Sequence, residues 1–357
     1  MRVVQLIDSL EAGGAERMAV NIANGLCNKL SFSALVTTRK EGALKKSIQS
    51  NVVYSFLGKT HTFDSKAILR FRAFILANNI DIIHAHGSSY FFAILVKITF
   101  PKVKIFWHDH HGNRVHKQKA NSVLKLVSFF FSGVFTVNEE LKDWARKKLF
   151  CKNIYFIPNF AVENLTEVAT TFLKGEAGKR MICLANLRNP KNHITLLKSF
   201  VASDAKKLNW TLHLVGYDKN DVYSNNLKQF VKENDFEENV FFYGSCNDIG
   251  LILKQGNIGV LTSTYEGFPV TLLEYGMANL TVISTNVGYC KSVIQHNVTG
   301  LLFNPLDEIE LTDCINFLLR DCIHSEKLST NLYKFVSENY SELFVVSALI
   351  KHYNRAN

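Results

Sequence analysis

The chain is short of several things that other classes of protein need. Its seven cysteines, at positions 27, 151, 183, 246, 290, 314 and 322, are odd in number and never spaced CxxC. That excludes a disulfide framework and a thiolate zinc cluster, and it fits a reducing cytoplasm. Only 5 prolines and 19 glycines occur among 357 residues, with no low-complexity tract and no fixed-period repeat, so neither disorder nor a solenoid is expected. Apolar runs are short as well. LVSFFFSGVFTV, at 126 to 137, falls below the ~20 residues that a bilayer span needs, and the first apolar stretch, Val3 to Ile7, is too brief for a signal-peptide core. Any membrane contact is therefore expected to be peripheral.

What is present is ample apolar material, 47% of residues, enough for two ordinary domains or one large α/β barrel. The net charge of +10 is unevenly spread: residues 1–160 carry 23 Lys+Arg against 10 Asp+Glu, and the remainder 18 against 21. A basic first half suggests an anionic surface or substrate there.

Short β-branched and aromatic runs alternate with helical patterns. VVQLID (3–8), SALVTT (33–38), VVYSFL (52–57), IDIIHAH (80–86), VKIFWH (103–108), GVFTV (133–137) and NIYFIP (153–158) read as strands. Between them lie helix candidates such as DSKAILRFRAFILANN, where Asp64 or Ser65 caps and Ile68, Phe71, Ile75 and Leu76 share a face. After a polar stretch following IPNF the alternation restarts at RMICLAN (180–186), with further strands at TLHLVG, NVFFYG, IGVLTS, LTVIST and GLLF. The reading is α/β: two Rossmann-like, doubly wound domains, 1–160 and 161–340, facing each other across a cleft, with 341–357 a helix that packs back on the first.

The chemistry is expected at the carboxyl ends of these strands. In STYEGFPVTLLEYG (263–276) the loop Thr264 to Phe268 follows a buried strand, and Pro269 is expected at the first position of the next helix. The helix N-terminus, with the N–H groups of Gly267 and Phe268, makes an anion site. Glu266 before the helix and Glu274 more than a turn inside it cannot grip one metal ion together; two hydroxyl groups about a phosphate apart suit them better. LEAGGAERMAVNIA (10–23) places Gly13 and Gly14 at a strand-to-helix turn without the GxGxxG of a dehydrogenase. ICLANLRNPKNHITLLKSF (182–200) leaves Arg188 and Lys191 at a strand end, two cations suited to a leaving diphosphate. WHDHHGNRVHK (107–117) clusters His108, Asp109, His110 and His111, but neighbouring side chains at a strand end point opposite ways, so a shared metal is not expected.

The glutamate pair separated by seven residues, with EGFP at the first, resembles the signature of retaining glycosyltransferases of family 4, which have the two-domain GT-B fold. The resemblance runs over nearly the whole chain. It implies that Glu266 contacts the donor sugar, that Glu274 holds the ribose hydroxyls, and that the Gly13–Gly14 loop, similar to the family's GGxER, faces the donor. Lys191 matches the family's lysine; Asn186 stands where the family has arginine, and Arg188 lies two residues later. A histidine after the VKIFW strand is implied to touch the donor sugar, and both His108 and His110 are candidates. HAHG (84–87) is similarly implied to line the acceptor side through His86 and Gly87, while Gly216 and the segment Asn247 to Ile249 surround the base.

The same resemblance implies a metal-independent transferase without a cofactor, using a UDP- or GDP-sugar and a glycan or lipid-linked acceptor in cell-surface polysaccharide biosynthesis (capsule, O-antigen or exopolysaccharide). The alternatives are a nucleotide-sugar epimerase of the same fold and a non-catalytic nucleotide-sugar-binding protein. No nucleic-acid partner is expected. Lys97, Lys102, Lys104, Arg114, Lys117, Lys119 and Lys125, with Phe129 to Phe131, are candidates for contact with an anionic membrane at the inner face of the plasma membrane.

Overall fold

A computed structural model describes residues 1–11, 13–110, 122–162 and 168–355. It divides into two compact units, Met1–Phe160 with Glu342–Asn357, and Ala161–Ser341.

The first unit contains β1 (Arg2–Ile7), β2 (Phe32–Thr37), β3 (Val53–Phe56), β4 (Ile82–His86), β5 (Lys104–Asp109), β6 (Gly133–Thr136) and β7 (Ile154–Phe156) in one sheet ordered β3-β2-β1-β4-β5-β6-β7. Every pairing is parallel. The long apolar strand runs are explained by this, since a parallel sheet is covered on both faces. The helix Ser65–Ala77 is capped by Asp64, whose carboxylate accepts from Ala67 N–H, and it buries Ala67, Phe71 and Ile75. Leu76, expected on that face, is instead 44% exposed, because the buried stripe follows 67, 71 and 75 and passes it by.

The last helix, Glu342–Arg355, belongs to this unit. Its Val345, Val346, Leu349 and Tyr353 are buried with Ile22 and Leu26 of the helix Gly14–Cys27 and with Phe106 and Phe135 of the sheet. Each such side chain is worth roughly 1.5–3 kcal/mol of burial. Gly25 makes the approach possible, since a Cβ there would lie 2.7 Å from Val346 Cγ2.

The second unit repeats the plan with β8 (Arg180–Leu184), β9 (Thr211–Val215), β10 (Val240–Gly244), β11 (Ile258–Leu261), β12 (Thr281–Thr285) and β13 (Leu301–Phe303), ordered β10-β9-β8-β11-β12-β13 and all parallel. In both units the strand order reverses beside the first strand. Such a switch point, between β1 and β4 or between β8 and β11, opens a crevice at the carboxyl ends where ligands bind.

Candidate active site

At the switch point of the second unit, the segments after β8 and β11 are tied to each other. Asn189–Lys191 forms one turn of 3-10 helix ahead of the helix His193–Ala202. Thr264 N–H donates to Pro190 O at 2.9 Å, and the Thr262 hydroxyl donates to Lys191 O at 2.8 Å. Across this junction Lys191 Nζ lies 2.6 Å from Glu266 Oε1, with the two side chains only 18% and 11% exposed. Two motifs that are 75 residues apart in sequence thus meet in one charge-assisted hydrogen bond.

A third loop supports Glu266 from behind. Gly288, in the turn after β12, has φ +51°, and a Cβ there would fall 1.7 Å from Glu266 O. Only glycine allows that approach. Gly288 is what lets the Glu266 backbone sit where it does.

The helix carrying Glu274 is Val270–Met277, and Pro269 occupies its N-cap, one residue outside the expected position. Pro269 makes no side-chain cap here, and in the first turn Val270 N–H donates to Phe268 O at 3.1 Å and Leu272 N–H to Pro269 O at 3.0 Å. The Phe268 ring stacks on Tyr289 at 5.0 Å and packs into the core, so Phe268 offers a ligand its backbone and not its ring. Pro269 is buried, and Glu274 is partly buried on the helix.

Arg188 is exposed and, among the described residues, forms no ion pair. Asn186, in the arginine position, accepts from Tyr217 N–H at 3.0 Å and so anchors the neighbouring loop. Gly216 has a packing reason of its own: a Cβ would lie 2.2 Å from Ala185 O. Asn247 is exposed, and Ile249 opens the short helix Ile249–Leu253. Between them, Asp248 lies inside the segment that the resemblance places around the base. Its buried carboxylate accepts from the backbone N–H groups of Thr170 and Thr171, both at 2.7 Å, fixing the segment that leads into the unit. His193 is fully buried, which pushes its pKa down to about 4 and keeps it neutral.

In the first unit, Gly13 and Gly14 sit where β1 gives way to the helix Gly14–Cys27. A Cβ on Gly14 would meet no heavy atom within 4 Å, so packing does not demand glycine there.

The histidines depart most from expectation. β4 and β5 pair in register with His86 opposite His108, and β1 pairs with β4 with Gln5 opposite His84. Alternation then puts Gln5, His84, His86, His108 and His110 on one face. The HAH and HDH patterns signalled this together, whereas each motif read alone did not. His84, His86 and His108 are at most 1% exposed, and burial holds all three well below the usual histidine pKa. His108 is thus a core residue with no surface to offer a substrate, and the same burial removes His86 and Gly87 from the acceptor side. His110, just past β5, is partly exposed. His111 lies outside the described residues.

The nitrogens of His84, His86 and His108 come within 4.8 Å of one another. Their rings nevertheless stack nearly parallel, at 7° to 28°. Tyr353 Oη is 2.7 Å from His84 Nδ1, His84 Nε2 is 3.2 Å from His108 Nδ1, His86 Nδ1 is 2.9 Å from His110 Nε2, and His86 Nε2 is 2.8 Å from Gln5 Oε1. Of the six nitrogens, only His108 Nε2 lacks a hydrogen-bond partner. Rings whose nitrogens are already paired, N–H to lone pair, form a hydrogen-bonded array, not a converging ligand set.

The chain is built of two parallel doubly wound units, with the Lys191–Glu266 ion pair joining the segments that follow the first and fourth strands of the second, and solved structures of GT-B glycosyltransferases share this fold. The Anabaena protein HepE in complex with UDP matches with a TM-score of 0.80 at 16% identity, over 99% of this chain and 100% of that one. A glycosyltransferase from Rickettsia africae gives 0.81, also at 16%, over 99% and 98%. Residues 12–162 match the family profile Glycosyltransferase Family 4, and residues 166–335 match Glycosyl transferases group 1. The chain belongs to glycosyltransferase family 4. Among relatives, a Campylobacter jejuni alpha-1,4-N-acetyl-D-galactosaminyltransferase acting on an undecaprenol-linked glycan is 22% identical over 93% of this chain and 92% of its own. The capsular polysaccharide biosynthesis glycosyltransferase CapH of Staphylococcus aureus is 24% identical over 83% and 84%.

Proposed function

We propose that this glycosyltransferase is a retaining enzyme that moves a sugar from a UDP- or GDP-sugar to a glycan or lipid-linked acceptor in cell-surface polysaccharide assembly. The observation that carries the reading is the Lys191–Glu266 pair, held at the switch point and backed by Gly288. Lys191 and the exposed Arg188 stabilise the departing diphosphate, whose charge grows as the glycosidic bond breaks. The helix after Pro269 adds its positive end. Glu266 aligns Lys191 and takes a donor-sugar hydroxyl, Glu274 takes the ribose hydroxyls, and His110 touches the donor sugar. Cations and a helix terminus stand in for a divalent ion, so the reaction is metal-independent.

No helix among the described residues is long and apolar enough to cross a membrane. The proposed site of action is the cytoplasmic face of the plasma membrane, through a basic and apolar patch on the first unit. Phe129 and Phe130 are 75% and 45% exposed, and Lys125 Nζ lies 5.2 Å from the ring centre of the exposed Phe150. Phe131 does not join them, being 6% exposed and stacked on Trp107. Lys97 is likewise committed inward, donating to the carbonyls of Pro101 and Val103. Arg114, Lys117 and Lys119 lie outside the described residues.

The test is a panel of UDP- and GDP-sugars incubated with purified protein in excess EDTA. One donor should release its nucleoside diphosphate slowly. Isomerisation of the sugar, binding without turnover, or activity abolished by EDTA and restored by manganese would each overturn the reading.

A further inference from the structure

At the switch point of the first unit, four neighbouring strand ends gather polar side chains that the nucleotide-sugar reading leaves unused. Asp8 follows β1, Thr38 and Arg39 follow β2, Lys59 follows β3 and Ser88 follows β4. Asp8 ties three of these ends together: its Oδ1 accepts from the Thr38 hydroxyl at 2.5 Å and its Oδ2 from the Ser88 hydroxyl at 2.6 Å. Lys59 is only 8% exposed, and its backbone N–H donates to Thr38 O. Its Nζ lies over the ring of the buried Phe92, 4.9 Å from the centre. Among the described residues that ammonium makes no hydrogen bond and no ion pair, yet it is not one of the unpaired polar atoms sealed from solvent. A ring face attracts the charge but leaves three N–H groups without acceptors. Asp64, whose charge also reaches Lys59, has its oxygens committed to Thr60 and to Ala67 N–H. Burial lowers the Lys59 pKa although Asp8 and Asp64 act to raise it, so neither carboxylate makes good the water that the ammonium has lost. Arg39, with a side chain 42% exposed, has its Nε 4.0 Å from Asp8 Oδ1, too far for a hydrogen bond.

We propose that this crevice is an acceptor subsite for a sugar that carries an oxyanion, a carboxylate or a phosphate, held by Lys59 and Arg39. The cluster is rich in N–H groups and short of oxygens to receive them. A ligand with anionic oxygens supplies what is missing, and charge-assisted hydrogen bonds to it offset the desolvation that Lys59 has already undergone. Asp8 keeps a free lone pair on each oxygen, and these accept from sugar hydroxyls. Next to Phe92 in sequence, Phe91 meets the 66% exposed Phe63 edge to face at 5.8 Å, an aromatic surface for the apolar side of a sugar ring. The inference deepens the glycosyltransferase reading and rests on it for the ligand being an acceptor; the crevice itself follows from the strand order of the first unit.

The test is a titration of the full-length protein with glucose, glucose 6-phosphate and glucuronate, three probes that differ at one carbon, read by saturation-transfer NMR of the probe. The protein is kept saturated with whichever of UDP and GDP it binds, which closes the second unit to other phosphates. At least one charged sugar should bind about tenfold or more tightly than glucose, the ratio expected from one hydrogen bond to a charged group. A preference for glucose 6-phosphate assigns a phosphate, and one for glucuronate a carboxylate. Lys59→Met, which keeps an unbranched side chain over Phe92, should abolish the preference, and Arg39→Gln should reduce it. Thermal melts identify any variant that fails to fold, and Arg39→Gln carries the test if Lys59→Met does. No preference of the wild type for a charged sugar, or a preference undiminished in the folded variants, overturns the inference. Failure to bind either nucleotide would instead sink the nucleotide-sugar reading, and the titration of the first unit then runs unchanged without it.

Discussion

Removing either half of the Lys191–Glu266 pair should be felt twice, in the stability of the second unit and in turnover. At 2.6 Å, with side chains 18% and 11% exposed, the two charges attract by roughly 6 kcal/mol at an effective dielectric constant of about 20, and the cost of desolvating both opposes this. Losing one partner from a fully buried pair costs about 3–5 kcal/mol; partial exposure here lowers the expectation to roughly 1–3 kcal/mol. Lys191→Met and Glu266→Gln, alone and together, form a double-mutant cycle. Hydrogen exchange in β8 and β11 reports the second unit by itself, which avoids treating a two-unit chain as one cooperative transition. The coupling energy should be about 1–2 kcal/mol, with the double variant losing less stability than the sum of the two single losses. Turnover should fall in both single variants and should not return in the double variant, because the lysine is needed by the diphosphate as well as by Glu266. Stabilities that add within about 0.3 kcal/mol, together with near-normal turnover in Lys191→Met, would refute the reasoning.

Glu274→Ala should weaken nucleotide binding while Glu266→Ala mainly lowers turnover, each by the roughly 1.5–3 kcal/mol of a lost charge-assisted hydrogen bond; calorimetry with UDP and GDP, set beside kcat, separates the two. Acid should destabilise both units. Burial lowers the pKa of His84, His86 and His108 in the first, and holds His193 at about 4 and His213 at about 3 in the second. The unfolded chain therefore binds more protons below about pH 6.5, and stability that is complete above that pH is lost as pH falls, by about 1.4 kcal/mol per pH unit for each such group. A stability flat from pH 7 to pH 5 by thermal melts would contradict the buried array. Sedimentation with anionic vesicles should be strong at low salt, weaker as salt rises, and reduced in Lys125→Ala/Phe129→Ala; equal partitioning to neutral and anionic vesicles would reject the membrane patch.

Much of this was legible in the sequence, for physical reasons. A parallel sheet covered on both faces writes its strands as continuous apolar runs, so every strand from VVQLID to GLLF could be seen, and the glutamate pair lay on one uninterrupted strand-to-helix segment. What could not be seen depended on contacts across the fold. Nothing local distinguishes Gly288 from any other turn glycine; its necessity comes from the Glu266 carbonyl. Asp248 reads as a loop acid until Thr170 and Thr171 are seen to donate to it. His108 and His110 share a parity on one strand, and only the pairing of β5 with β4 shows which of them is covered. Phe129 to Phe131 form a run of three whose last member turns inward, a distinction made by Trp107.

The proposed transfer of a sugar with retention of configuration at Lys191, Glu266 and Glu274 leaves its mark on the anomeric centre of the product. The most direct measurement is proton NMR of the product formed from the donor that the enzyme consumes, recorded before the released or transferred sugar can mutarotate. The first-formed product should carry the donor's anomeric configuration and should be absent with Lys191→Ala. An inverted first-formed anomer, or undiminished product from Lys191→Ala, would contradict the claim.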